Sequence, residues 1–344
     1  MMKSDRKTSC AAALCIREVE QVINQINEWI IHDDQAEWTT WKGVPVLQLA
    51  GGKPVLYGKK PFHPPFRMTG EIAIAGKEGY AGFVFGAKTA HHYEAVYIYP
   101  DSEASGWIQY DSCMNNSMTW QIYHGSLYQA RIDLQPGDWN RLRIDVQPSY
   151  AEVKVGTSDD PQLTIYPYLQ GASGYIGLWG YLKTYVKRFS VTPIPLKELE
   201  RPFPRATKPE GAVADWEVAI AKAPVYPAGD CEWIKAEVEN NGILNLNRLF
   251  QVEKKQFYIR TKVFSRKKEY RTISFGYSDY FQLWVNGREI HQGMWIWDPP
   301  KDGRIYHDYQ KVKVEMNEGW NWIIGYLRVE EPHFGAGLIL TVSG

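Results

Sequence analysis

This chain reads as an all-β protein, two antiparallel β-sandwiches preceded by one α-helix. Three observations predict that class. Strand-like segments recur through residues 36–195, separated by short loops rich in Gly, Pro, Asp and Ser, with no helix-length polar repeat between them. That spacing belongs to an antiparallel sandwich rather than to a parallel α/β sheet. A stretch carrying Pro193, Pro195, Pro202, Pro204 and Pro209 follows, and prolines at that density suppress helix and ladder pairing alike. Beyond it, residues 281–290 form two strand-like runs closed by Asn286-Gly287, the strongest short hairpin signal.

Taken in order, residues 16–31 carry the helical signal. Ile16, Val19, Val22, Ile23, Ile26, Trp29 and Ile30 repeat at the helical period, and Glu18, Glu20, Gln21, Gln25 and Glu28 take the other face. The helix either docks on the first domain or dimerises the chain. The first domain's strands are expected at 66–74, 79–86, 92–99, 106–110, 118–123, 128–134, 140–146, 150–155, 174–179 and 185–191. The expected division is a helical segment at 1–35, a first sandwich at 36–195, a linker at 196–212 and a second sandwich at 213–344.

The composition narrows the function. With 39 Lys and Arg against 39 Asp and Glu among 344 residues, no basic field is expected to hold nucleic acid or an anionic membrane, and both are set aside. No apolar run of about 20 residues is present to cross a bilayer. The four cysteines, Cys10, Cys15, Cys113 and Cys231, are scattered and form no Cys-x-x-Cys pair, so a disulfide framework is not expected. The apolar stretch of residues 10–16 is short, is interrupted by Arg17 and Glu18, and has no small-residue cleavage site after it. The expectation is a protein of the cytoplasm without a signal peptide. The 14 Trp, 22 Tyr and 12 Phe exceed what two sandwich cores need and leave candidates for exposed stacking platforms.

Particular motifs carry a family resemblance. In the second half, the small-residue strand at Ser274 and Gly276 is followed by Asp279, then Leu283-x-Val285-Asn286-Gly287, then Glu318-Gly319-x-Asn321 and an apolar strand. That order resembles the galactose-binding-like β-sandwich that accompanies many sugar-active proteins. In the first domain, residues 82–86 with 92–100, the Gly137-Asp138-Trp139 turn entering 140–144, and 173–179 leading to Phe189 and Val191 look like concanavalin-A-like, laminin-G-like jelly rolls. The resemblance implies central strands, a turn-entered strand and a closing strand, respectively. It implies a sugar-associated role and transfers the fold better than the function.

Catalysis has few candidates. Jelly-roll glucanases of that superfamily carry Glu-x-Asp-x-x-Glu on one strand, which brings a nucleophile and an acid together, and the motif is absent here. Glu71 has no partner acid, and Asp145 and Glu152 fall on different strands. Related jelly rolls that cleave oxidised glycosides imply a different reading, in which His92 and Glu94, sharing one strand face, do the work. His91 reads as a solvated loop residue. No His-x-His or His-x-x-x-His spacing suggests a metal. No cofactor is expected, apart from a structural calcium at Asp279, which equally suits a turn cap.

Binding has more. A sugar's C–H face packs on an aromatic ring while polar side chains read its hydroxyls. Tyr93, Tyr97 and Tyr99 share one face of 92–99. Trp107, Gln109 and Asp111 share a face of 106–111, and Trp120 follows in 118–123. If these strands pair, they make an aromatic floor with polar edges. A second display is Trp295, Trp297 and Asp298, running into Pro299-Pro300 turn chemistry; Trp284, Trp320 and Trp322 read as core or turn packing. The leading expectation is a carbohydrate or glycoside binder, non-catalytic or accessory to a sugar-processing enzyme. A glycoside-cleaving enzyme is the second reading, and a protein–protein interaction module the third.

Overall fold

The computed structural model describes residues 29–30, 36–58, 60–102, 104–169, 171–199, 202–224, 226 and 231–343. They fold into antiparallel sheets, the all-β sandwich class read from the sequence. The chain divides into two compact units, one made of residues up to Ser112 with Gly125–Phe203, the other of Cys113–His124 with the residues from Pro204 onward.

The first unit contains β1 (Trp29–Ile30), β2 (Ala36–Trp41), β3 (Val44–Tyr57), β4 (Phe66–Ile74), β5 (Tyr80–Thr89), β6 (His92–Pro100), β7 (Ser105–Cys113), β8 (Gln129–Asp133), β9 (Asn140–Val146), β10 (Ala151–Val155), β11 (Leu163–Ile165) and β12 (Tyr175–Pro193). Their order is β11-β10-β9-β4-β12-β5-β6-β7-β8, with β3 also on β12. β12 is the corner. Its residues 175–181 pair with β5 and its residues 184–193 with β4, while β3 follows it along both stretches. Register shifts after Trp179 and Tyr181, with Leu182 at φ 59°, bend it between the two layers. Between the layers Phe83 of β5 meets Phe189 of β12 at 5.0 Å. Gly70 of β4 makes room for the Phe83 ring, which would lie 2.9 Å from an added Cβ.

The second unit contains β13 (Asp215–Ile220), β14 (Ile234–Glu237), β15 (Leu244–Asn245), β16 (Gln256–Ser265), β17 (Glu269–Tyr277), β18 (Asp279–Val285), β19 (Arg288–Trp295), β20 (Trp297–Asp298), β21 (Lys301–Asp302), β22 (Gln310–Met316), β23 (Gly319–Arg328) and β24 (Gly337–Ser343). A sheet β14-β13-β16-β23-β18-β19 faces a sheet β15-β24-β17-β22 across a core that includes Phe257, Ile259, Phe275, Phe281, Leu283, Leu327 and Leu338. The hairpin read from Asn286-Gly287 is β18–β19, with both turn residues at positive φ (49° and 82°), as a type I′ turn requires. The Asn321 side chain accepts from the backbone N–H of Asn317 and the amide of Asn286, tying that turn to the Gly319 turn.

Several expectations change. Of the helix at 16–31, only Trp29 and Ile30 lie within the described residues, and they form β1 on Leu56 and Tyr57. The Trp29 ring packs on Tyr57 and Phe189, so strand pairing and burial override the helical period there. The rest of that helix, and dimerisation through it, lie outside the described residues. The long β3 was not foreseen, because Gly51, Gly52 and Pro54 interrupt its pattern. The expected strand at 118–123 is a turn, in which Ile122 and Tyr123 N–H both donate to the Thr119 carbonyl. That turn belongs to the second unit, where Met118 and Gln121 N–H bond the carbonyls of His333 and Phe334, and Ile305 N–H bonds that of Gln121. The proline-rich stretch is extended but not loose. Tyr150 donates to the Lys197 carbonyl, and the Tyr166 hydroxyl accepts from Phe203 N–H.

Gly82 is the tightest position in the tyrosine-bearing layer, since an added Cβ would lie 1.9 Å from the Val96 carbonyl oxygen and 2.4 Å from the Tyr97 Cα. Gly82→Ala should destabilise the first unit by about 3 kcal/mol, the upper end for overpacking. Denaturant unfolding measures it, and a change below about 0.5 kcal/mol would contradict the packing described.

Candidate functional site

The first candidate surface is the outer face of β12, β5, β6 and β7. Phe83 and Phe85 of β5 point into the core, so Tyr80 and Gly82 point away from it, and their cross-strand neighbours follow. Trp179 and Tyr181 of β12 lie opposite Gly82 and Tyr80, and Tyr97 of β6 lies opposite Gly82. The missing side chain at Gly82 brings Tyr97 against Trp179, with centroids 4.9 Å apart. Further along, Tyr80 contacts Tyr99 at 5.2 Å and Tyr181 at 6.1 Å, making a row of three rings on three adjacent strands. Tyr181 is 48% exposed, and Tyr80 and Tyr99 are half-buried.

Trp107 of β7 extends the same face. Its indole N–H donates to Asp101 at 2.9 Å, and the Arg131 guanidinium lies 5.0 Å from its ring. Asp101 also accepts from Ser105 at 2.6 Å and from Arg131. The Ser105 hydroxyl first, then Arg131 and Trp107, hold its carboxyl below the usual value, so it stays ionised at the rim.

The expected floor is thus half support and half surface. Tyr97, Tyr99, Gln109 and Asp111 do come together: the Tyr97 hydroxyl donates to Asp111 at 2.5 Å, and the Gln109 amide donates to the Tyr110 carbonyl at 2.9 Å. Tyr97, Gln109 and Asp111 are buried, however. They brace the rings from below, and the surface belongs to Tyr80, Tyr99, Tyr181 and Trp107. Sequence reading missed Tyr80, Trp179 and Tyr181. The period-two spacing of Trp179 and Tyr181 was the available signal, hidden because the strand was ended at 179.

The pair proposed for catalysis sits on the core-facing side. Glu94 is fully buried and accepts from Ser112 Oγ at 2.6 Å, Tyr110 Oη at 2.7 Å and the Leu169 N–H at 2.6 Å. Burial, then the Glu94 charge, push the Tyr110 hydroxyl well above its ordinary pKa. A carboxylate held by these donors is a structural anchor. His92 is half-buried at the start of β6.

The second candidate surface lies in the second unit, on the loops after β19 and β23 and on the 118–124 turn. Trp120, expected beside Trp107, is found here, its ring 5.8 Å from Phe334 and beneath the Arg304 guanidinium at 4.6 Å. Trp295 is packed inward, 4.1 Å from Tyr309, with its indole donating to the Arg304 carbonyl. Trp297 is 54% exposed, and Asp298 beside it is exposed. Tyr306 and Phe334 show further ring surface. Glu331 organises the group, accepting from the Trp297 N–H and the Gln121 amide, both at 2.9 Å.

Beneath Glu331 lies Asp279, fully buried, at φ 65°. Its Oδ1 accepts from the Glu330 and Glu331 N–H groups at 2.8 and 2.7 Å, which makes it a turn cap. Its Oδ2 has no partner among the described residues, and among them no group of three His, Cys, Asp or Glu is placed to hold a metal. Burial raises the carboxyl from 3.8 to about 6 against the opposing pull of those N–H groups.

No family model matches the chain, and no curated protein sequence matches it. Among solved structures it is similar to a carbohydrate-binding module from Bacillus subtilis, at 11% identity over 48% of this chain and 95% of that one with a TM-score of 0.37. It is also similar to a Bacillus subtilis protein of unknown function with a galectin-like fold, at 12% identity over 50% and 92% with a TM-score of 0.36. A third likeness is to a legume lectin-like domain from Entamoeba histolytica, at 13% identity over 49% and 92% with a TM-score of 0.34. Likenesses at these scores carry no argument about ligand or activity.

Asp279 makes a pH prediction. An acid with a raised folded pKa is protonated in the fold before it is protonated in the unfolded chain. Its contribution to stability is therefore present below the unfolded value of 3.8 and lost as pH rises through about 6. The rise is worth about 3 kcal/mol at 1.36 kcal/mol per pH unit. Between pH 4 and pH 8, wild type should lose about that much stability relative to Asp279→Asn. Parallel stability–pH curves for the two proteins would refute the assignment.

Proposed function

We propose that this chain is a carbohydrate-binding protein, non-catalytic or accessory to a sugar-processing enzyme, which holds a glycan or glycosylated small molecule on the outward tyrosine row of its first unit. The observation that carries this reading is the contact series Tyr181–Tyr80–Tyr99 across β12, β5 and β6, with Trp107 on the next strand and ionised Asp101 in the turn before it. A row of rings offers successive stacking faces to the C–H faces of a sugar chain. The tyrosine hydroxyls, Asp101 and Arg131 supply donors and acceptors for its hydroxyls. The rings are braced from below by Tyr97, Trp179 and Asp111, so little side-chain order has to be gained on binding. We place the protein in the cytoplasm, a reading supported by the scattered spacing of its four cysteines, which suits a reducing compartment better than a disulfide framework.

A second reading puts the sugar on the Trp297–Phe334 loops of the second unit, favoured by the 54% exposure of Trp297 and by the carboxylate of Glu331 held beside it. The glycoside-cleaving alternative asks His92 and Glu94 to act together, and the three donors already on Glu94 lend it no support.

The test is thermal unfolding against mono- and oligosaccharides and aryl glycosides, with and without divalent metals. Ligand at about 100 times its dissociation constant adds about 2.7 kcal/mol, a shift of a few degrees. The shift should fall with Tyr181→Ala or Tyr99→Ala, each weakening binding about fivefold, equivalent to about 1 kcal/mol. It should survive Trp297→Ala. Loss on Trp297→Ala alone would move the site to the second unit. No shift with any sugar would overturn the proposal.

A further inference from the structure

One end of the second unit gathers exposed rings and basic side chains. The turn between β16 and β17 and the turn between β22 and β23 lie side by side there, since Ser265 pairs with Gly319 and Glu269 with Met316. Around these turns Phe264 is 50% exposed, Trp320 59% and Tyr270 61%, with Trp322 next along β23. Phe264 and Trp320 are cross-strand partners on the outer face of the six-stranded sheet. Tyr270 is on the outer face of the four-stranded sheet, opposite Glu315. The rings therefore form a collar around the sandwich end, not a platform on one side.

Cations accompany three of these rings. The Lys262 ammonium lies 4.8 Å from the Trp320 ring, Lys313 lies 5.4 Å from Tyr270, and Arg260 lies 5.2 Å from Trp322. The β16–β17 turn is Arg266-Lys267-Lys268, all exposed. Lys267 and Lys268 are near Glu269 and Glu315 at 3.9 and 3.2 Å, contacts of little strength at such exposure. No ion pair among the described residues engages Lys262, Arg266 or Lys313.

From this arrangement we infer that the β16–β17/β22–β23 end of the second unit docks on an anionic lipid surface. Lys262, Arg266, Lys267, Lys268 and Lys313 stand against Glu269, Glu315 and the exposed Glu318 of the β22–β23 turn, a local excess of two positive charges that the neutral whole chain conceals. A single sugar chain does not reach rings on both outer sides of a sandwich. A bilayer interface meets a whole end at once. It takes indole and phenol rings at the level of the headgroups and draws Lys and Arg to its negative potential. The inference is independent of the sugar reading, because the tyrosine row belongs to the other unit.

The experiment is co-sedimentation of the full chain with vesicles of phosphatidylcholine and of phosphatidylcholine mixed with phosphatidylserine, at low and physiological salt. The expected result is partition onto the phosphatidylserine vesicles, weakened by salt. The combined Arg266→Ser, Lys267→Ser and Lys268→Ser variant should lose about a hundredfold in partition, at roughly tenfold per 1.4 kcal/mol and about 1 kcal/mol per basic residue. Phe264→Ala with Trp320→Ala should weaken partition as well. Trp297→Ala, beyond the opposite end of β23, should not. Unfolding midpoints close to wild type establish that the variants fold. Absence of partition, partition equal on both vesicle types, or retention on an immobilised polyuronate without vesicle binding would each overturn the inference.

Discussion

Both units rest on one constraint. A strand has two faces, and successive side chains must go to opposite ones. In each sandwich one face is consumed by the core, with Phe83, Phe85 and Phe189 in the first unit and Phe257, Phe281 and Leu327 in the second. This chain then places rings on the other face too. An outward ring in water is costly unless it is covered or used. The molecule covers some with cations, as Lys262 covers Trp320 at 4.8 Å and Arg328 covers Tyr280 at 4.7 Å. Others, notably Tyr181 and Trp297, are left open.

The corner strand β12 converts that constraint into a site. Without the bend after Tyr181, the stretch pairing with β5 and the stretch pairing with β4 would continue one flat sheet. With it, the two stretches belong to facing layers, and Phe189 closes on Phe83. The same bend leaves Tyr181 at the exposed margin of the layer, beside Tyr80. Gly82 then lets the rings of Trp179 and Tyr97 meet where any side chain would hold them apart.

Buried carboxylates play a different part. Glu94 and Asp279 both sit at zero exposure, and both accept backbone N–H groups of a neighbouring loop. Glu94 fixes the chain at Leu169, whereas Asp279 fixes Glu330 and Glu331 and so the carboxylate on which Trp297 rests. Asp279 leaves one oxygen unmatched among the described residues, and burial pushes its carboxyl towards the neutral form.

The sequence by itself determined the strand periodicity, the Asn286-Gly287 hairpin and the placement of Tyr97, Tyr99, Gln109 and Asp111 on common faces, because each is set within a few residues by alternation or by φ. It did not reveal β3, whose glycines and proline break the pattern while pairing to β12 sustains the strand. Nor did it reveal that the 118–124 turn joins the second unit, because the hydrogen bonds that hold it there run to His333, Phe334 and Ile305, far along the chain. Tertiary structure alone decided which members of a common face stay open. Alternation puts Trp107 and Asp111 on the same side of β7, and only the packing around them makes Asp111 a brace and Trp107 a surface. Trp320 shows the same limit in reverse: its turn suggested packing, and the end of the sandwich leaves it in solvent because no strand lies beyond it.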